Sequence, residues 1–179
     1  MAGKTKILIL IATIIMASQT ITSEPAGLKA ILQEKSEKPI VQPKLYKQLG
    51  LGRNFDVQNY IEKRDKYFDI INSASKETGL DVRLIEAVII CESRWRERAV
   101  SSENAVGLMQ IINGPTDPQR NIKAGSLILA NYIKKCDDDL LMGLTAYNCG
   151  FAGAKRQGKP NAYAHKVIRT WLFLNLLNR

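Results

Sequence analysis

Apolar residues recur along this chain in blocks of helical spacing separated by polar punctuation. Val57, Tyr60, Ile61, Phe68, Ile71 and Ala74 follow a helical period behind a candidate cap at Asp56, and Gly79 stops the run, so the pattern predicts a core-facing helix from Val57 to about Thr78. Asp81 then opens a segment in which Arg83 and Glu86 are the only charged side chains between Arg83 and Cys91. A helix apolar on nearly every side is a buried helix. Its far end carries a carboxylate, Glu92. After a charged loop from Arg94 to Glu103, the short apolar run Gly107 to Ile112 is bounded by Asn113-Gly114-Pro115 and reads as a brief irregular strand. Asp117-Pro118 starts a helix to about Lys135 that buries Ile122, Ala124, Leu127, Leu129, Ala130 and Ile133. Another is predicted from Asp138 to Tyr147, ending near Asn148 and Gly150. Phe151 to Asn161, rich in Gly, Lys and Arg, reads as loop. A closing helix from Tyr163 to Leu177 places Tyr163, Val167, Trp171 and Leu174 on one face.

The N-terminal third has a different texture. Lys4 and Lys6 precede an apolar run from Ile7 to Ala17, too short to span a bilayer comfortably, so residues 1–22 have the layout of a secretory signal. No clean small-X-small cleavage site follows, and a retained N-terminal anchor stands as the alternative. Residues 23–55 are broken by Pro25, Pro39 and Pro43 and read as a linker, with a short helix allowed between Gly27 and Lys38. The domain proper is then expected over 56–179.

Composition refines the picture. A chain of 179 residues with 45% hydrophobic content suffices for one domain with a core plus extensions. Taking the two lysines of the leader off the formal +9 leaves +7, an excess that favours polyanionic partners without choosing among nucleic acid, anionic lipid and acidic wall polymer. One histidine, His165, and three scattered cysteines are too few for a metal site or a local Cys-His dyad, and no cofactor is expected. Cys136 and Cys149 flank a predicted helix whose rise would hold them on the order of 15 Å apart, beyond the roughly 7 Å that a disulfide spans.

Chemistry centres on Glu92. Burial disfavours the charged form of an acid, so a glutamate at the rim of an apolar helix is a candidate proton donor near neutral pH; a solvated glutamate at the first exposed turn is the plainer alternative. Around it stand Glu92-Ser93, then Ser101 nine residues on, then Gly107-Leu108-Met109-Gln110; further along come Ala146-Tyr147-Asn148-Cys149-Gly150, and Tyr163 ahead of Lys166-Val167-Ile168. Three blocks in this order over roughly Asp81 to Ile168 resemble the lytic transglycosylase (SLT) domain of the goose-type lysozyme superfamily. Two departures stand out. Asn104-Ala105 replaces the usual Gly-Ala, although asparagine tolerates positive φ, and Glu97 replaces a proline often found five residues after the glutamate.

The resemblance implies a mainly α, lysozyme-like fold with a short irregular strand region around Gly-Leu-Met-Gln. It implies cleavage of the β-1,4 bond between N-acetylmuramic acid and N-acetylglucosamine in peptidoglycan, with Glu92 as acid and then base and a 1,6-anhydro product. Substrate-binding roles would fall to Ser93, in the local turn, Ser101, Met109 as an apolar wall beside the acid, Gln110, Tyr147, Asn148 and Tyr163. If Glu92 and Tyr147 line one cleft, as the resemblance implies, Cys91 and Cys149 are the better-placed disulfide pair, with free thiols as the alternative. Glycan strands are the expected partner, and an exported, periplasmic or wall-associated location the expected setting. By family analogy the enzyme would serve a wall-spanning secretion, conjugation or phage assembly. Nucleic acid is not expected, and a membrane only if the N-terminal segment is retained. Two rivals remain: hydrolysis by the same site, and a non-enzymatic module that binds an anionic polymer through Arg94, Arg96, Arg98 and the Lys155 to Lys159 loop.

Overall fold

The computed structural model describes residues 57–177; the leader and linker lie outside the described residues. The helix expected from Val57 to Thr78 is two helices, α1 (Val57–Lys66) and α2 (Phe68–Thr78), broken at Tyr67. The break turns Tyr67 into the core, at 4% exposed, and leaves Phe68, expected inside, at 54%. Gly79, at φ 73°, closes α2 with its N–H on the Ser75 carbonyl, a left-handed cap that suits glycine.

α3 (Val82–Glu92) is the buried helix the sequence predicts. Asp81 caps it by accepting from the Leu84 N–H, and every residue from Leu84 to Ile89 is buried. That run includes Glu86, 1% exposed, whose Oε2 accepts from Tyr60 on α1 at 2.8 Å and from Arg83 at 2.7 Å. A buried carboxylate requires such partners. The remaining helices are α4 (Pro118–Lys135), α5 (Leu140–Gln157) and α6 (Ala162–Leu177), with caps at Asp117 and Asp139. α3 packs chiefly on α6 and α2, α4 on α2 and α5, and α5 also on α6. Among the described residues no helix is long and apolar enough to cross a membrane.

The predicted loop from Phe151 to Asn161 is mostly helix. α5 continues to Gln157 across a kink at Gly150, whose φ 76° and ψ 157° interrupt helical geometry. Glycine alone adopts that conformation cheaply. The loop proper shrinks to 158–161, where Asn161 caps α6 by accepting from the Ala164 N–H. Gly143 on α5 allows α4 and α5 to touch: a Cβ there would lie 2.7 Å from the Ile133 Cα.

The irregular strand region is a two-stranded antiparallel hairpin, β1 (Ala105–Val106) against β2 (Ile111–Ile112), with a bridge from Val100 to Val106. Its inner support is one side chain from α4. Asn121, fully buried, accepts from the Met109 N–H at 2.8 Å and donates to the Val106 and Pro115 carbonyls at 2.9 Å each. Removing it leaves one buried and two half-buried backbone groups unpaired, each costing up to about 1–3 kcal/mol. Asn121→Ala should therefore destabilise the fold by about 3 kcal/mol or more in denaturant titration. Gly143→Ala, which presses a methyl onto backbone, should cost about 1–3 kcal/mol by the same measurement.

Candidate active site

A cleft of about 390 Å³ opens between the end of α3, the hairpin, α4 and α5. Glu92 lines it together with Ser101, Gln110, Tyr147 and Asn148, four of the residues singled out in the sequence. Its remaining walls are Glu103, Ala105, Ile111, Ile112, Ile128 and Tyr132.

Glu92 ends α3, so the helix carries its side chain from the core to the cleft edge. Its Oε1 accepts from the Tyr163 hydroxyl at 2.6 Å. Three influences act on this carboxyl. Burial is the largest and raises its pKa; the Tyr163 hydrogen bond and the Lys166 charge lower it, and the net direction is up. Desolvation therefore outweighs both groups that favour the anion. The effect is mutual at the tyrosines: burial first, then the Glu92 charge, push the Tyr163 and Tyr147 hydroxyls well up. Both remain protonated donors throughout the working range.

The hairpin side is built from backbone bonds. Ser101 Oγ accepts from the Glu103 and Ala105 N–H groups, making a tight turn that presents Glu103 to the cleft. Asn104 in that turn has φ 59°, a conformation asparagine adopts more readily than other residues with a Cβ. Gly107, at φ 80°, lies so close to Asn121 that a Cβ would sit 2.5 Å from its Nδ2. Gln110 Nε2 donates to the Gly107 and Ala99 carbonyls at 2.9 and 3.1 Å, so its amide nitrogen shapes the loop. Tyr147 donates to the Met109 carbonyl at 2.8 Å, tying α5 to the hairpin. Asn148 Oδ1 accepts from Asn161 at 3.0 Å.

Two expected roles change, and of the two cysteine readings the structure has the free thiols. Met109 does not line the cleft: it is fully buried, with its thioether against Gly125 and Ser126 of α4, so its contribution to the cleft is the carbonyl held by Tyr147. Ser93 is also fully buried and donates to the Ile89 carbonyl, finishing α3. The Cys91 to Cys149 disulfide is absent: both thiols are free. Cys91 Sγ lies 3.6 Å from Thr170 Oγ1 on α6, whereas Cys149 Sγ turns back to the Thr145 carbonyl of its own helix. The two point to different neighbours. His165 lies exposed on α6.

Sequence reasoning passed over Glu103, Tyr132 and Ile128 as cleft residues, and Asn121 as the organiser of the hairpin. Asn121 had one usable signal, an amide within an otherwise apolar stripe of α4. Glu103 and Tyr132 had none, since each reaches the cleft only through tertiary packing.

Comparison with known proteins agrees with this geometry. A family model described as the transglycosylase SLT domain matches residues 69–168. The membrane-bound lytic murein transglycosylase F of Alcanivorax borkumensis is 28% identical over 140 residues, covering 70% of this chain and 29% of the relative. The transglycosylase of Enterobacteria phage PRD1 is 30% identical over 121 residues, covering 63% and 44%. The membrane-bound lytic murein transglycosylase C of Edwardsiella ictaluri is 30% identical over 128 residues, covering 56% and 36%. The chain thus spans less than half the length of each of these relatives. An inactive mutant of the lytic transglycosylase Slt from Pseudomonas aeruginosa superposes with a TM-score of 0.59 over 84% of this chain and 32% of that one, at 17% identity, a likeness of fold. With a lysozyme-like helical fold around the cleft, and a family match spanning residues 69–168, the chain belongs to the SLT-domain transglycosylases.

Proposed function

We propose that this protein is a peptidoglycan lytic transglycosylase in which Glu92 serves first as acid and then as base. The observation that carries the reading is the partly buried Glu92 carboxyl, held by Tyr163 at the edge of a cleft that Gln110 and Tyr147 share. Protonated Glu92 gives its proton to the glycosidic oxygen between N-acetylmuramic acid and N-acetylglucosamine. The C1–O bond breaks as the muramoyl N-acetyl oxygen closes onto C1. Glu92, now a carboxylate, takes the proton from the C6 hydroxyl, and O6 displaces the acetyl oxygen at C1. The product is the 1,6-anhydro sugar, with no water consumed and Glu92 returned to its starting form. Tyr163 orients the carboxyl and stabilises it while it is charged. Ser101, Gln110, Tyr147 and Asn148 line the path of the glycan.

Names of the relatives support a wall substrate, and two of them are called membrane-bound. The exported location and service to a secretion, conjugation or phage assembly belong to the same proposal. The catalytic unit is taken as residues 56–179.

Hydrolysis is the second reading, and Glu103 is the observation that favours it. Glycosidases normally use two carboxyl groups, and Glu103 supplies a second one to the cleft. The single-glutamate route is better supported, because Glu103 is exposed and is not among the groups that act on Glu92. The exposed Arg94, Arg96 and Arg98 follow Glu92 in the chain and suit an anionic polymer, which serves either reading.

Glu92→Gln should keep the fold and abolish release of muropeptides from purified peptidoglycan; activity near the wild-type rate would remove Glu92 from this role. Mass spectrometry of wild-type digests should show products lighter by one water than hydrolysis products, unchanged in kind by Glu103→Gln. Tyr163→Phe removes a bond that favours the anion, so the Glu92 pKa rises further. The rate falls as Glu92 loses its proton, and the basic limb of the pH–rate profile should move to higher pH. Stability follows the same linkage. A folded-state pKa raised above the unfolded value favours folding at low pH and costs stability as pH rises through it. Glu92→Gln should therefore raise the melting temperature at neutral pH and leave it nearly unchanged near pH 4, by calorimetry.

A further inference from the structure

Two residues past Glu92 the backbone enters the left-handed region, with φ 52° at Arg94 and 62° at Trp95. For side chains with a Cβ such conformations cost on the order of 1–3 kcal/mol each and persist only where the surroundings impose them. At Trp95 the surroundings are aromatic. The indole is 5% exposed, lies flat on the Tyr67 ring at 5.9 Å and 7°, and meets Tyr60 at 6.5 Å and 50°. Its buried N–H has no hydrogen-bond partner. The Arg96 N–H and Nε close the turn on the Ser93 carbonyl at 3.1 and 3.0 Å, and ring stacking, with no bond to the indole N–H, holds the Trp95 side chain within it.

Tyr67 is fixed in turn from the loop itself. Its hydroxyl donates to Glu97 Oε1, and Lys66 Nζ meets the same oxygen at 2.5 Å. These two bonds, the lysine's first, hold the Glu97 carboxyl below the usual carboxylate range, so it is ionised wherever the protein works. Loop and helix junction thus form a closed circuit: Trp95 on Tyr67, Tyr67 to Glu97, and Glu97 back along the chain to Trp95. The circuit also accounts for the break between α1 and α2, since Tyr67 leaves helical geometry, at ψ 10°, to make both contacts.

We propose that Glu97 is a positioning residue for Glu92, clamping the strained turn after the glutamate through Tyr67 and Trp95. The inference rests on the function proposed above for its kinetic consequences, while the clamp itself is a structural statement. Glu97 is partly exposed, with a third of its side chain in solvent, so its ion pair adds little to global stability. Its effect falls on one turn. With the turn released, the end of α3 loosens, and Glu92 loses part of the desolvation that raises its pKa beside Tyr163, Tyr147, Lys166 and Cys91.

The test uses the full chain, with soluble uncrosslinked glycan strands as substrate. Glu97→Ala should lower kcat about tenfold with KM within about twofold of wild type, and shift the basic limb of the pH–rate profile to lower pH. Melting temperature should stay close to wild type. Glu97→Gln keeps an acceptor for the Tyr67 hydroxyl and should recover most of the rate, with Tyr67→Phe intermediate. Wild-type kcat and an unmoved basic limb in Glu97→Ala would overturn the proposal, as would a Gln variant no better than Ala. A readout independent of activity comes from Trp95 fluorescence in a Trp171→Phe background, which leaves one of the two tryptophans. Adding Glu97→Ala should shift that emission to the red; an unmoved emission denies the clamp. A wild-type chain that cleaves no glycan would instead sink the function, and the emission shift would still decide the clamp.

Discussion

Everything in this molecule converges on a carboxyl group denied full contact with water. Glu92 stands where a helix lined by Leu84, Ile85, Val88 and Ile89 leaves the core, and the cost of stripping water from its charge exceeds what Tyr163 and Lys166 return. That balance raises the pKa of an acid of ordinary composition. Neither opposing group is wasted. In the proposed acid-then-base role the glutamate needs a donor to steady its charged form, and Tyr163, itself kept protonated by burial, supplies it.

The rest of the fold holds the cleft around that group by hydrogen bonds to backbone. Asn121 fixes the hairpin from α4, Tyr147 ties it to α5 through the Met109 carbonyl, and Ser101 and Gln110 tighten its two turns. None of these bonds needs a ligand, so the cleft is pre-formed, as most small-molecule sites are. Motif residues that look like substrate contacts in the linear chain thus divide into two classes. Ser101, Gln110, Tyr147 and Asn148 face the cleft; Ser93 and Met109 hold up its walls from inside.

Much of this was legible in the residues. The run from Leu84 to Ile89 announces a buried helix, Asp81 and Asp117 cap where the spacing places them, and Asn104 takes the positive φ that its type tolerates. Illegible parts share one cause, tertiary contact overriding local pattern. Nothing near Tyr67 marks a helix break; the break appears because Trp95, far along the chain, offers its ring a partner. Gly150 reads as a stop, yet the helix resumes beyond it, because a kink serves as well as an ending where Gly153 and Ala154 find burial. Cys91 and Cys149 looked like neighbours because both adjoin cleft residues, but adjoining positions on a helix point different ways, and their sulfurs bond to different elements.

The carboxyl of Glu92 can be observed directly. A carbon-13 NMR titration of the side-chain carboxyls, with the Glu92 signal assigned by its loss in Glu92→Gln, reads its pKa in the folded chain without any substrate. A midpoint clearly above the usual 4.5 of a glutamate is the predicted result. A midpoint at or below that value would mean that Tyr163 and Lys166 outweigh burial, leaving the cleft without its proton donor.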